Sequence, residues 1–223
     1  MRTTAIITAC ALCSIGGAIA AYKIAFPTYT HRYRLTLAVD AGGKRYSGSS
    51  VIEVRWIGQP RLGDASPFIS SVKGAAPLIE LPNGAALLAA LHRSPNEFDR
   101  GVNADVLAVE AFQLQGFDGY RRIGQQTGRR ALSSDNMPLL IWFSNIASLH
   151  TAKPITAAHI PELLGSDARL SEAYVEMTDD PVIIDIDRKL PWFAALKDEQ
   201  RGLIVTRPNE FKMVHNMIVG DDS

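Results

Sequence analysis

The chain has 223 residues, and its 23 basic side chains are balanced by 23 acidic ones. A net charge of zero gives no broad field for nucleic acid or for acidic partners, so those functions leave the front rank. The only cysteines, Cys10 and Cys13, stand near the N-terminus, which excludes a structural disulfide and a cysteine-ligated zinc site from everything after them.

Thr3 to Tyr22 carries no charged side chain, with Arg2 before it and Lys23 after it. A helix of that length approaches the ~20 apolar residues that cross a bilayer core. Three readings compete. A retained anchor runs on to Phe26, with Lys23 snorkelling and Tyr22, Phe26 and Tyr29 at the interface. A cleaved signal peptide uses Ala5 to Ile15 as its apolar core, Gly16-Gly17 as a break and Ala18-Ile19-Ala20 as the small-residue cleavage site. Lipidation at Cys10 is the third, on the lipobox-like Ile7-Thr8-Ala9-Cys10. The anchor is preferred and a buried soluble helix is the least favoured, because the run has no polar face.

After residue 26 the pattern predicts an α+β domain, an antiparallel hairpin-based sheet with a few short helices over residues 27–207, followed by a loosely held tail at 208–223. His31 to Asp40 alternates, with Tyr33, Leu35, Leu37 and Val39 on one face. Asp40-Ala41-Gly42-Gly43 supplies a reversal, and Lys44 to Ile57 resumes the alternation as the second strand of a hairpin. Gly48 marks a bulge, a close backbone approach or, preferably, a loosened strand end. Gly58 to Lys73 reads as a surface loop pinned by Phe68 and Ile69. Ala76 to Leu81 and Ala85 to His92 flank a Pro82-Asn83-Gly84 turn; the Ala and Leu content of the second stretch favours a helix, but the turn chemistry is more specific and the two are expected to pair. Asp105 to Phe112 is either a strand or a short helix, and Gln113 to Asn136 reads as a long polar loop.

Leu139 to Phe143 is expected as a central strand buried on both faces. Ile160 to Leu164 reads as one or two helical turns opened by Pro161 and closed at Gly165, and Leu170 to Thr178 as a strand. Asp180 is expected to cap a helix with Pro181 at its first position and Ile183, Ile186 and Leu190 on its inner face. Trp192, Phe193 and Leu196 then form a core cluster, and Leu203 to Thr206 a last strand.

Tyr33-Arg34-Leu35-Thr36, Gly48 to Val54, Thr178-Asp179-Asp180-Pro181-Val182 and Leu190-Pro191-Trp192 together resemble a family of uncharacterised, predicted exported or membrane-anchored proteins of proteobacteria. The resemblance implies an envelope location. It implies no activity, cofactor or catalytic residue.

The sharpest chemical coincidence is Ser70-Ser71-Val72-Lys73 with Ser134-Asp135-Asn136, which looks like two of the three motifs of serine β-lactamases and penicillin-binding proteins, Ser70 being the nucleophile and Lys73 its activator. No Lys-Thr-Gly follows. His31, His92, His150, His159 and His215 lack the spacing of a metal site, and the carboxylates Asp179, Asp180, Asp185 and Asp187 are explained by capping and exposure, so no metal and no cofactor is expected. Gly119 to Gly124 has the first spacing of a phosphate-binding loop, but Gln125 stands where a lysine is needed. Arg121, Arg122, Arg129 and Arg130 are the candidate anion-binding residues. The expectation is a binding or structural module of the bacterial cell envelope, single-pass in the inner membrane and facing the periplasm, or released there after cleavage. A strict positive-inside count of Lys23, Arg32 and Arg34 against Arg2 would keep the body in the cytoplasm, but Arg32 and Arg34 belong to a strand and the Gly-Gly and Ala-Ile-Ala order favours export. A serine hydrolase using Ser70, Lys73 and Ser134 is the enzyme alternative, and an accessory subunit of a membrane complex the other.

Overall fold

The computed structural model describes residues 16, 17, 19–61, 63–92 and 101–193. The last strand and the tail expected after residue 202, Leu196, His215 and the first 15 residues of the leader lie outside them. The described end of the leader, residues 19–25, is helical and exposed, and Pro27 separates it from the first strand. Among the described residues no helix is long and apolar enough to cross a membrane.

The body is α+β, with two antiparallel sheets and a few short helices. Strands β1 (Thr28–Ala41) and β2 (Lys44–Gly58) form the long hairpin that the alternation predicts, in continuous register from Thr28 opposite Ile57 to Ala41 opposite Lys44. Gly42 and Gly43 both take positive φ, 55° and 71°, the pair of values that lets a two-residue turn follow the twist of its strands. β3 (Phe68–Lys73) pairs with β2, β9 (Arg169–Met177) with β1, and β6 (Arg129–Ala131) with β9, giving the order β3-β2-β1-β9-β6. The second sheet has the order β4 (Leu78–Glu80), β5 (Ala86–Ala89), β7 (Leu140–Phe143), β8 (Ala152–Ile155). β7 is buried at every residue and lies inside its sheet, as its uninterrupted apolar run predicts.

One face of the first sheet, carrying Tyr33, Leu35, Leu37, Ile52, Val54 and Val175, joins the buried strands of the second sheet and helix α1 (Ala104–Ala111) in one core. The Tyr33 hydroxyl donates to the Ala104 carbonyl at 2.7 Å, tying the centre of β1 to the start of α1. The ambiguity at Asp105 to Phe112 is thus resolved as helix. α1 ends with Gln113 at φ 56° while the Leu114 and Gln113 amides bond the Val109 and Glu110 carbonyls, a Schellman closure that turns the chain into helix α2 (Gly116–Arg122).

Four sequence expectations need correcting. Gly58 to Lys73 is a loop only as far as Pro67, because Phe68, Ser70 and Val72 face the core side of β2's edge and complete a strand. Gln113 to Asn136 is not a loop: it holds α2, a 3-10 turn at Ile123–Gln125, β6 and a 3-10 turn at Ser134–Asn136 with a Ser133/Asn136 capping box. Gly48 is no loosened end, since a Cβ there would stand 2.2 Å from the Leu78 carbonyl oxygen, and β2 crosses β4 at that point. Finally, Asp180 caps no helix. Residues 178–185 run without helix, the Ile183 backbone bonds Val51 and Ala75 beyond the end of β3, and of the expected helix over 180–190 only Ile186–Lys189 (α4) forms, after Asp185. Helix α3 (Ile160–Leu164) stands where Pro161 and Gly165 bracket it, Gly165 having φ 111°.

Candidate functional site

The face of the first sheet turned away from the core carries a row of ion pairs. Strand alternation and register put Arg32, Arg34 and Asp40 of β1, Arg45, Glu53 and Arg55 of β2, and Arg169, Glu172 and Glu176 of β9 on it. Arg45 meets Glu172 at 2.8 Å, Arg169 meets Asp40 at 3.2 Å, and Arg34 meets Asp180. The Thr178 hydroxyl and the Arg34 guanidinium hold the Asp180 carboxyl below its ordinary value. A bulge at Ser171, whose hydroxyl donates to Asp40 at 2.9 Å, brings Arg169 into this row.

Glu53 is the buried node of the row, only 4% exposed. Arg32 Nε donates to one carboxylate oxygen at 2.7 Å and Arg55 Nε to the other at 3.1 Å. Burial pushes the Glu53 carboxyl up, but the hydrogen bonds and charges of Arg32 and Arg55 outweigh it and leave the group below its ordinary value. The alternation of β2 identifies a strand but not this residue, whose outer face would ordinarily be solvated.

A second feature is aromatic. Where β1 begins and β2 ends, Trp56 stacks on Tyr120 of α2 with ring centroids 3.6 Å apart and planes 4° from parallel. Phe68 meets Tyr120 edge-on at 6.0 Å and approaches Tyr29 and Phe117, while Arg121 lies over Tyr29 and Arg61 over Phe117. Burial, with the charges of Asp105 and Glu110, raises the Tyr120 hydroxyl above its ordinary value.

A third is a cleft of about 650 Å³ lined by apolar Met137, Leu139 and Ile155 and by the polar groups of Glu110, Ser134, Asp135 and Thr156. Its size lies in the range of small-molecule sites, and its two carboxylates suit a ligand that offers N–H groups.

The residues singled out in the sequence do not converge. Ser70 and Lys73 are three apart on a strand and so face opposite sides of β3, whereas the motif requires the helical spacing that puts them together. Ser70 donates instead to Asp105 at 2.7 Å, and Ser134 bonds Asp135 on the rim of the cleft. The four candidate arginines scatter: Arg121 lies over Tyr29, Arg122 pairs with Asp118 at 3.6 Å, Arg129 lies over Tyr174 and Arg130 over Phe112. None lines the cleft. Gly119 is packed inside α2 against Val109 and Leu114, with no room for a phosphate. His31 is buried, His150 and His159 are exposed, and Asp185 pairs with Arg188 and Lys189; the side chain of Asp187 lies outside the described ones. Among the described residues no group of three His, Cys, Asp or Glu is placed to hold a metal ion.

Comparison with known proteins adds no relative. No family model, no curated protein and no solved structure matches the chain.

Proposed function

We propose that this protein is a bacterial cell-envelope module, held in the inner membrane by one N-terminal segment, with its two-sheet body facing the periplasm and serving as a binding or structural unit. The observation that carries the reading is the junction of leader and body. The uncharged run ends in a helix whose Ile19, Tyr22 and Ile24 are 54%, 53% and 81% exposed among the described residues. Apolar side chains half or more exposed on a helix that continues an uncharged run of this length are what a bilayer would cover. The proteobacterial resemblance agrees with the same location. The cleft beside Glu110 and Asp135 supports a binding role over a purely architectural one.

Fusions after Ser223 test the topology. A periplasm-dependent phosphatase is expected to be active and a cytoplasm-dependent fluorescent protein dark; bright fluorescence with an inactive phosphatase places the body in the cytoplasm. The N-terminal sequence of the protein recovered from the membrane and periplasmic fractions then separates a retained anchor, which keeps residues 1–26, from cleavage after Ala20.

A further inference from the structure

We infer that the end of the first sheet nearest the leader is a bilayer-contacting surface, with Phe117 and Ile69 seated at the lipid interface and Arg61, Arg121 and Arg122 facing phosphate headgroups. The inference rests on the anchored reading above. Geometry leaves little freedom: the leader helix reaches Ala25 and β1 begins at Thr28, so only Phe26 and Pro27 separate them. Even that connection is pinned, because the Gly58 amide bonds the Pro27 carbonyl at 3.1 Å and Phe26 bonds back to Tyr22 at 2.8 Å. A body joined without a linker cannot stand away from the membrane that holds its helix, and the end bearing the junction must lie against it.

The composition of that end fits the contact. Among the described residues six large hydrophobic side chains are exposed, and five of them, Ile19, Tyr22, Ile24, Ile69 and Phe117, belong to the leader or to this end. Ile69 is opposite Ile57 on β3, and Phe117 projects from α2, 42% exposed, beside the Trp56–Tyr120 stack. Aromatic side chains with arginines above them are suited to an interface, where a ring meets the acyl boundary and a guanidinium the headgroup. Of the basic side chains at this end, Arg61 lies over Phe117 and Arg121 over Tyr29, while Arg55 pairs with Glu53 and Arg122 with Asp118. The Gly42-Gly43 turn closes the opposite end of the 14-residue β1, roughly 40 Å away.

Labelling of the full chain in vesicles tests the inference. With Cys10→Ser and Cys13→Ser as background, nitroxide labels are placed through Phe117→Cys, Ile69→Cys and, as the distant control, Lys44→Cys. The chain is reconstituted in phosphatidylethanolamine–phosphatidylglycerol vesicles, and collisions with oxygen and with a water-soluble nickel chelate are compared. Labels at 117 and 69 are expected to favour oxygen over nickel several-fold more than the label at 44. Equal, water-like accessibility at all three positions in a chain that floats with the vesicles overturns the surface while leaving the anchor intact. Labels at 117 and 69 shielded from both reagents indicate a protein contact and overturn it too. A chain that fails to float refutes the anchor, and this inference with it.

Discussion

His31 is the side chain whose burial has the most direct consequence in solution. It lies on the core face of β1, 5% exposed, its ring 6.2 Å from that of Tyr33, and neither ring nitrogen has a hydrogen-bond partner among the described residues. Burial lowers its pKa from 6.5 to about 4. The folded protein therefore binds this proton less readily than the unfolded chain. The stability that the neutral ring allows is full above pH 6.5 and is lost as pH falls toward 4, by roughly 3 kcal/mol in all. His31→Phe is expected to flatten the decline of Tm between those limits; an unchanged profile would show that the ring is not buried in solution. Glu53 acts in a lower window. Its depressed pKa gives stability that is present above the unfolded value near 4.5 and lost as pH falls below it. Glu53→Gln should cost about 1 to 3 kcal/mol at pH 7, less than a fully buried pair because Arg32 and Arg55 remain partly exposed, and should remove the acid step below pH 4.5. Urea unfolding at pH 7 and at pH 3.5 measures both. Neither residue could be singled out from the sequence as a buried group. Alternation gives a residue's face but not what lies over it, and the sequence points Asp180 to a local cap because its partner Arg34 is 146 positions away.

At the level of elements, what was legible depended on whether the signal was local. The β1–β2 hairpin, the β4–β5 hairpin, β7 and α3 each carry their own period, turn or stop residue, and each stands where the sequence placed it. β3 and α2 have weaker local signals. β3 is short, and its alternation of Phe68, Ser70 and Val72 follows a Pro- and Gly-containing stretch. α2, Gly116–Arg122, includes two glycines, and its place is fixed by Tyr120 on Trp56, a contact across 64 positions. The Asp180 helix shows the opposite error, a good local signal overruled when Ile183 takes up backbone bonds beside Val51. Gly48 offers a quantitative check on this long-range packing. With the Leu78 carbonyl 2.2 Å from where a Cβ would sit, Gly48→Ala must push β2 from β4 and should cost roughly 3 kcal/mol, the upper range for overpacking. Gly43→Ala meets only open space and should cost about 1 kcal/mol, through its positive φ alone. Equal costs in denaturant unfolding would mean that the two sheets do not touch at Gly48.

At the scale of the whole molecule the leader and the body meet at a narrow seam, and the seam makes a prediction about their independence. Residues 19–25 are exposed throughout, and the first backbone bond from this region into the body is that of the Pro27 carbonyl with Gly58. Among the described residues the hydrophobic core shared by the two sheets and α1 begins at Tyr33, with Tyr29 packed at its edge, and it takes no side chain from residues 19–25. A chain of residues 26–223 keeps Phe26 and Pro27 and should fold as the full chain does. A contribution of 1 kcal/mol would move Tm by about 2 to 4 °C in a body of this size. The deletion is therefore expected to shift Tm by less than about 3 °C when both chains are melted in the same detergent. A fall of about 10 °C would mean that the helix packs on the body, with Ile69 and Phe117 as its natural seat, and those side chains would then be unavailable to a membrane.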